Sequence, residues 1–280
     1  AMLRPATADS LHRHWISLAP SLQGSSIPLT SGQIVIDKSL WIDGPGPDKL
    51  ALDGKELSRI FYLTDQKGGI GVRITGLALT NGVETSRGGA IRTDSSWNSP
   101  GVTLSLSNCV IRANRVTASN NGDGGGGIHY ARGPLHVRLG LVGCDISDNR
   151  SGGTGGGLWL GMHADIDRCT ISGNTGGGVF IWQHGSQTIR NSTISGNEAL
   201  TAEGSGLFKR NPNSGDKVQV FNSTIYGNRA PSHECAGFRV NASETAALIV
   251  SSLVSGNTDN SGGRDVAGTF AGVTNCLISV

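Results

Sequence analysis

The chain has 280 residues, of which 43 are glycine, about twice the usual share, while only 16% are charged and 5% aromatic. That balance excludes a charge-rich helical bundle and a core built on large rings. A net charge of +2 excludes a dedicated nucleic-acid binder, five cysteines exclude a dense disulfide framework, and no apolar run is long enough for a membrane-spanning helix.

Taken in chain order, Ala1-Met2 looks like a cloning remnant. No secretory leader is read after it, so any export signal was removed or never present. Residues 4–15 (RPATADSLHRHW) predict a short capping helix, and residues 1–32 together a cap and first strand. QIVID, SLWID, KLALDG and RIFYL predict the first coils over 33–70, and the repeat coils occupy 71–280. No Pro- or Ser-rich linker interrupts them, so 1–280 is read as one domain.

The repeat is visible in NCVIRAN (108–114), GCDISDN (143–149), RCTISGN (168–174), NSTISGN (191–197), NSTIYGN (222–228) and SSLVSGN (251–257), with weaker copies at 76–82 and 275–280. One column reads Leu77, Cys109, Cys144, Cys169, Ser192, Ser223, Ser252 and Cys276. Aliphatic columns lie three residues before it (Ile74 to Val273) and two after it (Leu79 to Ile278). Five residues after it stand Asn114, Asn149, Asn174, Asn197, Asn228 and Asn257. The Cys/Ser and Ile positions are two apart, so both face one way along a strand. A glycine-rich corner and a second strand follow each asparagine. Fixed columns with variable spacing describe a solenoid whose length changes are confined to loops. The fold class expected is all-β: a single-stranded, right-handed parallel β-helix of about eight to eleven coils, with crossovers of the usual hand. Its Asn column is expected at turns in the left-handed conformation, with side-chain amides bonded above and below. Cys109, Cys144 and Cys169 are read as buried free thiols, since serine takes their place in later copies.

The stretch TSGQIVIDKSLWIDGPGPDKLALDG (30–54), then ITGLALTNG (74–82) and the repeated TISGN…GGGI, resembles bacterial right-handed parallel β-helix repeat proteins. These include surface proteins with polymorphic-outer-membrane-protein-like repeats and share the pectate-lyase-like fold. The resemblance implies a secreted or cell-surface bacterial protein and a polysaccharide or cell-surface glycan as partner. It leaves the activity open, because one fold hosts many functions. The chain stops at Val280 inside a repeat, which leaves room for missing C-terminal coils or a partner beyond it.

On the strand after each glycine corner, one outward column reads Arg92, His129, Trp159, Phe180, Phe208 and Arg239. The next reads Asp94, Ala131, Gly161, Trp182, Arg210 and Asn241. An exposed stripe of rings flanked by arginines suits sugar faces and uronate carboxylates. Arg92, Trp159, Phe180, Trp182, Phe208 and Arg239 are therefore the candidate substrate-binding residues. Rings covered by loops, or a protein interface, are the competing readings. For lyase or hydrolase chemistry the candidates are His129, Glu203, Glu234 and Arg210, with Glu84 and Asp123 as further loop carboxylates. Solvated loop charges are the competing reading, and no familiar pectate lyase or polygalacturonase pair is evident. The Gly122-x-Gly124-x-x-Gly127 match lacks a following helix and is a glycine corner. Thr170, Thr193 and Thr224 are read as solvated strand surface, and His12-x-His14 as cap surface. No cofactor or metal is expected; nothing in the sequence supports Ca²⁺. Two functions compete: a polysaccharide-engaging β-helix, binding or cleaving its ligand, and a non-catalytic adhesin or passenger-type repeat domain.

Overall fold

Alternation of small polar and aliphatic residues in each TIS-type segment turns one side of an extended chain inward. In the computed structural model such segments stack in register. It describes residues 14–65, 68–95, 98–118, 124–131, 133–182, 184–201, 206–210, 216–231, 235–241, 247–259 and 264–279. Three long sheets, all parallel, run along the molecule, and the chain visits the first, second and third in turn before starting the next coil. They hold ten, ten and nine strands, so nine full coils and two strands of a tenth are described. A short fourth sheet pairs Val83–Glu84, Arg115–Val116 and Arg150–Ser151 at the corner after the asparagine column.

The first coil departs from expectation. His14–Ser17 is a strand paired with Leu40–Asp43, so His14 and Trp15 do not end a capping helix. The next strand edge offers His14–Ser17 hydrogen-bond partners, which decides the conformation. The rest of the expected helix, residues 4–13, lies outside the described residues.

The interior follows the sequence columns. Ile74, Leu106, Leu141, Ile166, Ile189, Val220 and Ile249 are successive partners in the first sheet, all fully buried. Leu79, Ile111, Ile146, Ile171, Ile194, Ile225 and Val254 do the same in the second. Between these sheets the Cys/Ser column turns the corner. The residue before it is left-handed in each of seven coils, from Gly76 to Ser251, with φ between 46° and 62°. Cys144 N donates to Cys169 Sγ at 3.4 Å, Cys169 N to Ser192 Oγ at 3.1 Å, and Ser192 N to Ser223 Oγ at 3.2 Å. Thiol and hydroxyl thus do the same job on successive coils, and all five cysteines are free.

The asparagines form the expected amide ladder. Each side-chain N–H₂ donates to the next coil's Oδ1, at 3.0 Å from Asn114 to Asn149 and 2.8 Å from Asn228 to Asn257. Each Oδ1 also accepts the backbone N–H of the preceding coil's asparagine, at 3.0 Å for Asn149 N to Asn174. The expectation of left-handed asparagines is corrected, however. The left-handed residue is the one before: Ala113, Asp148, Gly173, Gly196, Gly227 and Gly256. Turning the chain there swings the following asparagine inward, where its amide replaces backbone pairing lost at the bend. At the last coil the ladder ends on a carboxylate. Asp265 Oδ1 accepts from Asn257 N at 2.9 Å and Asn257 Nδ2 at 2.6 Å, while Ser279 Oγ donates to its other oxygen. Asp265→Leu would strand two buried donors and is expected to cost about 1–3 kcal/mol. Asp265→Asn keeps an acceptor and should cost less; urea unfolding of both variants checks this ordering.

Candidate functional site

Period-two alternation in the third sheet sends every second residue away from the interior, and in-register stacking lines these residues up. The resulting column runs Val35, Tyr62, Arg92, His129, Trp159, Phe180, Phe208, Arg239 and Ala267. The six positions read from sequence fall in it in the expected order. Tyr62 extends it by one coil; it was legible in RIFYL, one coil below Arg92.

Exposure of the stripe is corrected. Trp159 is 4% exposed and Phe180 and Phe208 1% each, so they form a small second core outside the barrel wall, with Trp182 packed against it. Two causes act together. Rings one coil apart cover one another: His129 on Trp159 at 4.3 Å and 11°, Trp159 near Phe180 at 6.1 Å, Phe180 near Phe208 at 5.6 Å. The glycine corners then close over the stack. A Cβ on Gly124 would lie 3.1 Å from Trp159 Cδ1, and one on Gly155 3.1 Å from Phe180 Cβ. Any larger residue there would be pushed off the rings. Arginines cap the flanks, with Arg239 5.1 Å from the Phe208 centroid and Arg210 4.5 Å from that of Trp182. Arg210 therefore packs on a ring.

What remains open is a cleft at the N-terminal end of the ring stack. It has a volume of about 250 Å³ and is lined by Arg87, Asp94, Ser95, His129, Ala131, Trp159 and Trp182. Asp94 and Ser95 also line a neighbouring, larger cleft with Thr64, Asp65, Asn98, Ser99 and Pro100. His129 is 3% exposed, and neither of its ring nitrogens has a hydrogen-bond partner; Trp159 Nε1 likewise has none. Burial first, then the charges of Arg87 and Arg92, holds the imidazole well below its usual pKa, so it is neutral.

Around this cleft the charges are organised in pairs. Arg59 is buried and reaches Glu84 at 2.7 Å, the Gly88 carbonyl at 2.8 Å and Gln33 Oε1 at 2.5 Å. Burial would raise the Glu84 carboxyl; hydrogen bonds from Thr85 and the Arg59 charge outweigh it, and the group sits below its usual pKa. Asp94 accepts from Tyr62 OH at 2.5 Å and lies 3.5 Å from Arg92. Burial and then this bond to Asp94 raise the Tyr62 pKa. Arg59 and Arg87 carry no repeat signature, which is why the sequence did not single them out.

A family model described as "Right handed beta helix region" matches residues 96–278. The chain belongs to this β-helix family. Its coils are therefore right-handed. Neither the search of curated proteins nor that of solved structures returned a match.

Of the expected site residues in this β-helix, the structure brings His129, Trp159 and Trp182 to one cleft, with Arg92 beside it. Phe180, Phe208, Arg210 and Arg239 belong to the ring stack and its flank. Glu203 and Glu234, like Asp123, lie outside the described residues. Among the described residues, no group of three or more His, Cys, Asp or Glu side chains is placed to hold a metal. No helix among them is long and apolar enough to cross a membrane.

Proposed function

We propose that this β-helix is a non-catalytic glycan-binding protein of the bacterial cell surface or secretome, and that its ligand sits in the His129–Trp159–Trp182 cleft. Membership in the β-helix family is compatible with carbohydrate-active and with surface proteins. The observation that carries the reading is the pair of buried, unpartnered polar rings at the cleft wall. Native proteins leave few buried polar atoms unpaired, and those that persist call for an explanation such as a ligand. The cleft is about the size of one sugar ring and not of a long platform. Three arginines raise the local potential felt at His129, which favours an acidic glycan.

Binding without cleavage is favoured by the state of the acid–base groups. A base catalyst needs a pKa near the working pH, and His129 is held far below it. Asp94, the carboxylate that lines the cleft, is engaged by Tyr62 and Arg92, and Glu84 by Arg59. A spacer role with no ligand is the second reading, favoured by the burial of most of the ring column.

A carbohydrate array, followed by ultraviolet detection of unsaturated products and reducing-end assay on the glycans that bind, tests both parts. Binding without product is the expected result, and product formation would replace the proposal with a lyase or hydrolase. Binding to acidic glycans should also weaken as salt rises from about 0.05 to 0.5 M, because contacts with exposed charges are screened. Salt-independent titration curves would remove the arginines from the account.

A further inference from the structure

We propose that the two adjoining clefts are consecutive subsites, and that the ligand is a polysaccharide segment pairing an acidic sugar with a neutral neighbour. The inference rests on the glycan-binding reading and adds the length and charge pattern of the glycan. Asp94 and Ser95 line both clefts, so the smaller, of about 250 Å³, adjoins the larger, of about 440 Å³, at these two residues. The path follows the outward column at the ends of the third-sheet strands. Thr64 and Asp94 are in-register partners there, and Ala131 and Gly161 stand on the next two coils before Trp182. Small residues between Asp94 and Trp182 leave the smaller cleft over three coil steps, roughly 14 Å.

Charge assigns one sugar to each cleft. Arg87 lines the smaller cleft and Trp182 is only partly buried beside it, so a carboxylated pyranose meets a guanidinium and an apolar surface. The larger cleft has no cation among its described lining residues. Arg92 lies 3.5 Å from Asp94 and balances it. Asp65, held by a 2.5 Å bond from Gly101 N–H, is balanced by none of the described residues lining that cleft. A second sugar carboxylate placed there would face like charge, which costs affinity. The hydroxyls of a neutral sugar instead donate to the carboxylates and accept from Thr64, Asn98 and Ser99, which line the same cleft. Asp94 is 45% exposed even with Tyr62 and Arg92 beside it, so its carboxylate is open to hydroxyls at the junction.

Titration calorimetry of the full chain in buffer containing EDTA tests this. The ligands are glucuronic acid, diglucuronate and the pair of glucuronate–glucose disaccharides that differ in residue order. One mixed disaccharide is expected to bind about tenfold tighter than glucuronic acid, the gain from a second set of hydrogen bonds. Diglucuronate is expected to bind no tighter than glucuronic acid. Asn98→Arg places a cation in the larger cleft from an exposed position and should bring diglucuronate up to the mixed disaccharide. Asp65→Asn keeps an acceptor for Gly101 N–H and should act in the same direction. Mixed disaccharides that bind no tighter than glucuronic acid would overturn the second subsite while leaving a glycan site in the smaller cleft. Diglucuronate as tight as the better mixed disaccharide on the wild type, or unchanged in both variants, would overturn the charge assignment. Failure of all these sugars and of every array glycan to bind the wild-type protein would overturn the paired subsites and the glycan-binding reading together.

Discussion

Ile171→Asp is expected to prevent folding, whereas Cys169→Ser, two residues away, is expected to cost about 1 kcal/mol or less. Ile171 is fully buried between Ile146 and Ile194 of the neighbouring coils. A carboxylate there would have aliphatic side chains above and below it and no counter-ion. The cost of an uncompensated buried charge is roughly 3–5 kcal/mol or more, comparable with the whole stability of many domains. Cys169 is as deeply placed, but its role is to accept Cys144 N–H and to meet the Asp167 carbonyl, at 3.4 and 3.3 Å. Ser192 does the same one coil on, accepting from Cys169 N and donating to the Arg190 carbonyl at 2.7 Å. A serine at 169 inherits both bonds. Circular dichroism and urea unfolding of the two variants give the comparison; equal damage would break the ladder assignment.

Lys209 is a cation inside the barrel, and removing its charge is expected to stabilise the fold. Lys209 occupies an inward position of the third sheet, beside Ile181 and Val240, and is 0% exposed. Its ammonium donates to the Gly185 carbonyl at 3.1 Å and Gln187 Oε1 at 3.3 Å. Burial lowers its pKa from 10.5 to about 8, only partly opposed by Asp216. Below about 8 the native and unfolded chains both carry the proton, and the penalty for burying the charge is fully present. Between about 8 and 10.5 the native amine is neutral while the unfolded one is still protonated, so the unfolded state binds more protons and stability rises with pH. The shift corresponds to about 3 kcal/mol. Lys209→Met forfeits two hydrogen bonds, so its expected net gain at pH 7 is smaller, about 1–2 kcal/mol. Urea midpoints from about pH 7 to pH 10 should show the wild type gaining on the variant as pH rises. Parallel curves would mean that the buried lysine keeps its ordinary pKa and stays charged in the native state across this range.

The fold was legible because a parallel β-helix writes its register into the chain. Ile146, Ile171 and Ile194 recur at a fixed distance from Cys144, Cys169 and Ser192, and those columns became the second sheet and the corner beside it. The first coil was harder to read. His14 and Trp15 have no earlier copy to align with, and their strand depends on a partner at Leu40–Asp43. The asparagine ladder was legible in position but not in conformation, since the left-handed residue varies among Ala, Asp and Gly while the asparagine is constant.

For the candidate site, the sequence placed the right residues in one column and misjudged their exposure. Alternation says that Trp159 and Phe180 point away from the barrel interior; it cannot say what lies on top of them. That depends on how closely the corners at Gly124 and Gly155 approach the rings, a property of three-dimensional path and not of period. The polar surroundings were missed for a related reason. Arg59 and Tyr62 sit on one coil and meet Glu84 and Asp94 of the next, 25 and 32 residues on, only through stacking.

The central claim is that His129 is kept, unpartnered and buried, for a ligand and not for stability. Thermal unfolding of the wild type and His129→Phe, each with and without a glycan that binds the wild type, tests this most directly. The account predicts that His129→Phe melts higher in buffer, because two unpaired polar atoms leave the ring stack, a gain of roughly 1–3 kcal/mol or several degrees. It also predicts that glycan raises the melting temperature of the wild type and leaves that of the variant unchanged. A variant that melts lower in buffer and is still stabilised by the glycan would contradict it.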